Sequence, residues 1–193
     1  MPTRLHEQLH LALNPRYEHQ LVRMGLEDGW GHPGGEWGEG DSSGGPKPER
    51  QGPGAWPTLA IEAGDSESLN QLRRDMEWWF NTSNHAVKIV ILARFDHRRR
   101  EIQLEKWEEE PRAARPGAIT TRSAGTLAPV LWQSISITQN TTNPPSYNVA
   151  KGALVLGFKL LFLRGPGPGG GDFVFNIPDL QVYAADIWAQ LRD

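Results

Sequence analysis

Apolar residues recur along the chain with periods that distinguish helices from strands. Residues 3–26 carry leucines at helical spacing and predict one or two helices, divided at Pro15 because proline interrupts a helix interior. Helical spacing returns over residues 69–80, and Ser68 with Gln71 forms the signature of a capping box before it. A last helix is predicted to begin at Pro178, since proline suits the first helical turn.

Strands are predicted from continuous or alternating apolar runs. Residues 57–62 (PTLAIE) predict a short buried strand, and residues 86–95 (AVKIVILARF) predict a strand buried on both faces of a sheet. Residues 102–107 alternate and indicate a hairpin partner, and apolar residues between 131 and 137 indicate a further strand. The run 153–164 favours a strand, although its periodicity leaves a buried helix open.

The order of these elements predicts an α/β domain built on a mixed sheet. The strand–helix–strand unit from 58 to 95 implies a crossover between neighbouring strands. Residues 108–129 and 139–148 are polar and predict loops, and residues at about 29–55 are dominated by glycine and proline. We therefore expect one domain over residues 1–193, with an irregular insertion at about 29–55.

The composition excludes several kinds of site and partner. The chain has no cysteine, which excludes disulfides, Cys-ligated zinc, iron–sulfur clusters and thiol nucleophiles. The net charge of -3 gives no general attraction to nucleic acid, so any such contact would be local. There is no apolar signal segment and no run long enough to cross a bilayer. We therefore expect an intracellular protein, cytoplasmic or nuclear, without a membrane partner.

Glu62 is the strongest candidate for chemistry. It closes a short predicted strand beside a glycine turn and a helix start, and ligands of open α/β sheets gather at the C-terminal ends of strands. A carboxylate there can bind magnesium, but it needs a second acid. Asp41, upstream in the glycine-rich segment, can supply that acid, and the backbone carbonyl of Ala63 offers a further oxygen.

Two other groups of polar residues are weaker candidates. The arginines at positions 98–100 could contact phosphate, but a triple arginine in a hairpin turn is more often a solvated tip. His6 and His10 have the i, i+4 spacing of ligands on one helix face. The sequence shows no further acid–histidine set that would complete a zinc site, so a helix surface is the favoured interpretation.

Three stretches of the chain carry a family resemblance. They are WPTLAIEAGDSESLNQLRRDMEWWFNTSNHAVKIVILARFDHRRREIQLEKWEEE, the C-terminal LVLGFKLLFLRGPGPGGGDFVFNIPDLQVYAADIW and the N-terminal MPTRLHEQL. Together they cover well over half of the chain and resemble a fungal group of restriction-endonuclease-like proteins of the PD-(D/E)XK nuclease type. The match is specific to that group, because long runs agree in order, and it is less specific about activity.

The resemblance implies both a fold and an activity. The fold is a restriction-endonuclease-like mixed sheet of α-β-β-β-α-β type, flanked by helices, with a β-rich C-terminal extension. The activity is hydrolysis of nucleic acid with Mg²⁺ or Mn²⁺, in which an Asp and a Glu bind the metal that polarises the phosphate and activates a water. Glu62 matches the second acid, Asp41 matches the Asp of the group's PD-S motif, and Glu7 matches an acid sometimes found on the first helix.

Two positions depart from the family pattern. Gly64 occupies the place of the lysine that positions the attacking water, so Arg73 or Arg74 of the next helix would have to substitute for it. Asp41 follows a glycine instead of a proline. Two functions therefore stay open: an active metal-dependent nuclease, or a catalytically inactive scaffold that binds a protein or nucleic-acid partner. An enzyme unrelated to nucleic acids is a third, weaker alternative.

Overall fold

The computed structural model describes residues 4–31, 41–65, 67–112 and 126–191. They form a mixed α/β architecture, in which a seven-stranded sheet is accompanied by several helices and by a separate two-stranded sheet. The α/β class expected from the sequence is therefore confirmed. Among the described residues, none of the helices combines the length and the apolar character that crossing a membrane requires.

Five α-helices lie within the described residues. They are α1 Arg4–Leu11, α2 Asn14–Arg23, α3 Leu69–Thr82, α4 Phe158–Phe162 and α5 Ile177–Ala189, with a 3-10 turn at Glu27–Gly29 before the sheet. Pro15 lies in the first turn of α2, so the N-terminal pattern is two helices. The Ser68 side chain accepts a hydrogen bond from the backbone N–H of Gln71 and caps α3.

The large sheet keeps its strands in the order of the chain. They are β1 Trp30–Gly31, β2 Ser42–Pro46, β3 Leu59–Gly64, β4 Ile89–Asp96, β5 Glu101–Pro111, β6 Leu127–Asn140 and β7 Ser146–Ala150. Strands β3 and β4 are parallel with α3 between them, and every other neighbouring pair is antiparallel. The small sheet pairs β8 Leu154–Leu156 with β9 Phe173–Phe175.

The central strands are buried on both faces, as the sequence predicts for β4. Alternate residues of β3, Leu59, Ile61 and Ala63, belong to the larger core with α1, α2 and α5. Ala60 belongs to the smaller core with Trp79 and other residues of α3. Since side chains alternate along a strand, Glu62 lies on the α3 face.

The predicted irregular insertion is wrong over part of its length. Residues of β2 pair antiparallel with β3, with Ser42 opposite Ile61. Two glycines within β2 weaken the strand signal in the sequence, but one of them is required by packing. A Cβ on Gly44 would lie 2.6 Å from the indole of Trp30, so only glycine lets the two strands approach in this way.

Three further boundaries differ from the expected ones. Strand β5 continues to Pro111 and β6 begins at Leu127, so the predicted loop 108–129 is wrong at both ends. Strand β6 reaches Asn140 and β7 begins at Ser146, so the loop 139–148 is shorter than predicted. The apolar run 153–164 is a strand only in β8, and its remainder forms the buried helix α4 that the periodicity left open.

Candidate functional site

The two candidate acids lie at the carboxyl edge, the end of the sheet where β3 and β4 terminate. Asp41 directly precedes β2, and the pairing of Ser42 with Ile61 places Asp41 beside Glu62. Oδ2 of Asp41 accepts a hydrogen bond of 2.6 Å from the backbone N–H of Ala63. The pairing of β2 with β3 thus places the backbones of two acids that are well separated in sequence side by side, with the Glu62 carboxylate against Trp79 of α3 and the Asp41 carboxylate against the N–H of Ala63.

Glu62 is held on the α3 side of the sheet in a largely buried position. The indole N–H of Trp79 donates a hydrogen bond of 2.5 Å to Oε1 of Glu62. Burial raises the pKa of Glu62 to about 7, and the negative charge of Asp41 acts in the same direction, while the Trp79 hydrogen bond opposes both. A cation near this carboxylate would favour its ionised form.

Helix α1 brings two histidines to Asp41. Nε2 of His6 lies 3.4 Å from Oδ2 of Asp41. One ring nitrogen of His6, one of His10 and one carboxylate oxygen of Asp41 all lie within 4.8 Å of one another. We call these three residues the histidine–aspartate cluster. The interpretation of the histidine pair as a helix surface is wrong for His10, which is only 7% exposed and shares the buried face of α1 with Leu5 and Leu9.

The ring of His10 has a second contact that orients it. Its Nδ1 lies 2.7 Å from Oγ of Ser42, the first residue of β2. Burial lowers the pKa of His10 and the nearby His6 acts in the same direction, against the opposing charges of Asp41 and Glu7. His10 is therefore biased toward the neutral imidazole, the form that binds metal ions.

The remaining acid and backbone candidates have different positions. Glu7 is exposed on α1. Its charge reaches His10. Ala63 contacts Asp41 through its backbone N–H, and the predicted role of its carbonyl oxygen stays a prediction.

The two arginines considered as substitutes for the lysine that the resemblance implies have other hydrogen-bond partners. Nη2 and Nε of Arg73 donate to the two carboxylate oxygens of Glu105 at 2.6 and 3.0 Å. Glu105 is only 3% exposed, so this pairing holds the guanidinium firmly. Arg74 donates to the side-chain oxygen of Gln71. These contacts argue against either arginine as a water-positioning group beside Glu62.

Packing at position 64 explains why a lysine does not fit there. A Cβ on Gly64 would lie 2.9 Å from a methyl group of Leu72, which is almost completely buried in the core beneath α3. A longer side chain would have to displace Leu72 or leave the sheet. The glycine is therefore a consequence of how closely α3 approaches the end of β3.

A basic turn lies at the same carboxyl edge. Arg98, Arg99 and Arg100 form the exposed turn after β4, as the sequence predicts. Because β4 runs parallel to β3, this turn follows the same edge that carries Glu62. Beside it, Nε2 of His97 lies 2.5 Å from Oδ1 of Asp65, the residue that follows β3.

The sequence predicted the individual residues of the site but not that His6, His10 and Asp41 lie close together. The i, i+4 spacing of His6 and His10 was the available signal, and Asp41 was a candidate for another reason. No protein-family model, curated protein or solved structure matches this chain. The function proposed for this chain therefore rests on the geometry of these residues together with the resemblance carried by the three sequence stretches.

Proposed function

We propose that the chain is a metal-dependent phosphodiester hydrolase of the restriction-endonuclease-like type, acting on nucleic acid. The observation that carries this proposal is the position of Asp41, bound to the N–H of Ala63 and adjacent to Glu62 at the carboxyl edge. Two carboxylates on neighbouring strands are a donor set that suits Mg²⁺ or Mn²⁺. The family resemblance assigns the same two acids to the metal.

The order of elements supports the proposal. The resemblance implies the order α-β-β-β-α-β. If α2 and the 3-10 turn are counted as an insertion, this order matches α1, β1, β2, β3, α3 and β4. The second acid lies near the end of β3, directly before the crossover helix α3. A strand end of this kind is where ligands of open α/β sheets bind.

The charges around the acids are consistent with a phosphate-containing substrate. The exposed Arg98 and Arg99 offer guanidinium groups that can contact phosphate oxygens, while Nη2 of the neighbouring Arg100 donates to the side-chain oxygen of Gln139. The overall charge is negative, so this basic turn would supply the local attraction that the whole chain lacks. In this proposal it replaces the missing lysine in stabilising negative charge on the phosphate, although not in positioning water.

Each acid has a defined task in this proposal. Asp41 and Glu62 would hold the cation, whose chemistry is to polarise the phosphate and to lower the pKa of a bound water. The N–H groups of Ala63 and Trp79 orient the two carboxylates by direct hydrogen bonds. Orientation of ligands by such contacts is a general property of metal sites.

A cleavage assay tests the proposed function. Plasmid DNA, single-stranded DNA and RNA are incubated with the protein and Mg²⁺ or Mn²⁺, and wild type is compared with Glu62→Gln and Glu62→Ala. We expect metal-dependent cutting that falls at least about 100-fold in both variants, since even outer-shell changes cost about 10–100-fold. Glu110→Gln, at an exposed acid of β5, is the matched control and keeps wild-type activity. Absence of cutting, or equal cutting by wild type and Glu62 variants, contradicts the proposal.

One pair of observations favours a second candidate function, an inactive scaffold that binds nucleic acid or protein. The lysine position is closed by the packing of Gly64 against Leu72, and the carboxylate of Glu62 already accepts a hydrogen bond from Trp79. An inactive scaffold would bind the same nucleic acids in a fluorescence-anisotropy assay without cutting them. For this candidate, replacing the three arginines of the basic turn by alanine weakens nucleic-acid binding, whereas Glu62→Gln leaves it unchanged.

A further inference from the structure

The histidine–aspartate cluster has a donor set different from that of the two acids discussed above. It combines two imidazole rings from one face of α1 with a carboxylate that precedes β2. The ring centroids of His6 and His10 are 5.8 Å apart and their planes are inclined by 69°, so the rings do not stack face to face. Two residues one helical turn apart can direct their side chains to one point beside the helix.

The carboxylate of Asp41 is fixed before any ligand arrives. The N–H of Ala63 holds Oδ2 at 2.6 Å, and the same oxygen lies 3.4 Å from Nε2 of His6. Asp41 is therefore bound to the central sheet. The two histidines belong to α1, and the buried leucines of that helix hold it against the core. Such preorganisation on regular elements is what a metal site requires.

His10 has the outer-shell contact that ligating histidines commonly show. Its Nδ1 contacts the hydroxyl of Ser42, which leaves Nε2 as the ring nitrogen that can point toward a metal. His10 is also nearly fully buried, so its ring has little freedom to turn away. The strand β2 thus contributes to the cluster twice, through Asp41 before it and Ser42 at its start.

A hydrogen-bonded ion pair explains only part of this arrangement. Contact between His6 and Asp41 would satisfy one imidazole, but it does not account for a second, buried imidazole that converges on the same carboxylate. Two protonated rings at this distance would repel each other, whereas two neutral rings and a carboxylate can share one cation. The three donor atoms therefore lie close enough together to bind one cation.

We propose that His6, His10 and Asp41 bind one divalent transition-metal ion, of which Zn²⁺ and Co²⁺ are suitable probes. Imidazole nitrogen suits these ions, whereas Mg²⁺ and Ca²⁺ prefer oxygen donors only. Three protein ligands are also the usual number in catalytic zinc sites, where water or substrate completes the coordination. The site stands without the proposed nuclease activity, although it shares Asp41 with it.

Metal titration of the full chain tests this site. Protein freed of metal with a chelator is titrated with Zn²⁺ by calorimetry and with Co²⁺ by visible absorption, which reports on the ligands around the ion. We expect one equivalent to bind, Mg²⁺ to compete poorly, and His6→Ala, His10→Gln and Asp41→Asn each to weaken binding by at least about 10-fold. Circular dichroism checks that each variant is folded, and the partly exposed His6 supplies the variant least dependent on packing.

Two comparisons make the outcome decisive. His19→Ala, at an exposed histidine of α2, is the matched control and keeps wild-type affinity. The site is contradicted if wild type binds no stoichiometric Zn²⁺ or Co²⁺, or if folded His6→Ala binds as tightly as wild type. Glu62→Gln separates this proposal from the nuclease proposal: the variant keeps its Zn²⁺, whatever happens to cleavage. Zn²⁺ bound by the cluster in a protein that cuts nothing supports the site and rejects the nuclease.

Discussion

The β3–α3–β4 unit and the histidine–aspartate cluster lie side by side but are built in different ways. The unit is one continuous segment whose residues alternate between two cores, and its buried positions are almost all apolar. The cluster takes its residues from α1 and from the start of β2, which meet only because β2 pairs with β3. The unit therefore follows a clear local pattern, whereas the cluster forms where distant segments meet.

The two regions also treat their polar groups differently. In the β3–α3–β4 unit and its neighbour β5, the buried Glu105 is neutralised by Arg73 and also accepts a hydrogen bond from the indole of Trp107. In the cluster, two imidazole rings converge on one carboxylate. The first arrangement satisfies a buried carboxylate within the protein interior. The second leaves imidazole and carboxylate groups that can give up a contact with one another to bind a ligand.

The largest effect on stability is expected in the β3–α3–β4 unit. Phe80 on α3 is completely buried in the smaller core. Phe80→Ala should lower the free energy of unfolding by about 3–5 kcal/mol, because it removes a large apolar side chain and leaves a cavity. Urea denaturation measures the loss, and a change below about 1 kcal/mol would show that this face of the sheet is not the core described here.

A smaller loss is expected where the unit meets the carboxyl edge. Gly64→Lys introduces the lysine that the resemblance implies at this position but forces its Cβ to within 2.9 Å of Leu72. We expect the free energy of unfolding to fall by about 1–3 kcal/mol, as for other overpacked sites. Gly29→Lys is the control, since a Cβ there meets nothing within 4 Å. Urea denaturation measures the free energy of unfolding of both variants. Equal values for the two lysine variants would contradict the explanation that packing against Leu72 excludes a lysine at position 64.

The sequence was sufficient to predict the scaffold of the first region. Periodicity and the serine cap predicted β3, α3 and β4 and their burial, because these signals depend on neighbours in sequence. The same reasoning failed for β2, in which glycines give no strand signal and the reason for Gly44 is the distant indole of Trp30. It also could not divide residues 153–164 into β8 and α4, since a short buried strand and a short buried helix share one apolar pattern.

The candidate site was predictable residue by residue but not as a group. Glu62 was named from its place at a strand end and Asp41 as its second acid, the family resemblance matched the same two residues, and the spacing of His6 and His10 was noticed. Their convergence depends on the register between β2 and β3 and on how α1 packs, which no local pattern encodes. The contact that occupies Arg73 is equally distant in sequence, because its partner Glu105 lies on β5.

The smallest expected change in stability gives the sharpest contrast between the regions. Ser42→Ala removes the hydroxyl beside His10 and should change the free energy of unfolding by about 1 kcal/mol or less, yet weaken Zn²⁺ binding by about 10–100-fold. Ser68→Ala removes the cap of α3 and should cost about 1 kcal/mol with no effect on Zn²⁺. Calorimetry and urea denaturation measure both quantities. Equal Zn²⁺ affinities in the two variants would contradict an outer-shell role for Ser42.

A crystal structure of the protein soaked with Zn²⁺, with diffraction recorded on both sides of the zinc absorption edge, is the decisive test of the histidine–aspartate cluster as a metal site. We expect one strong anomalous peak about 2.0–2.2 Å from a nitrogen of His6, a nitrogen of His10 and an oxygen of Asp41. A zinc-saturated crystal in which the anomalous signal lies elsewhere and no peak lies among these three side chains would contradict this metal site.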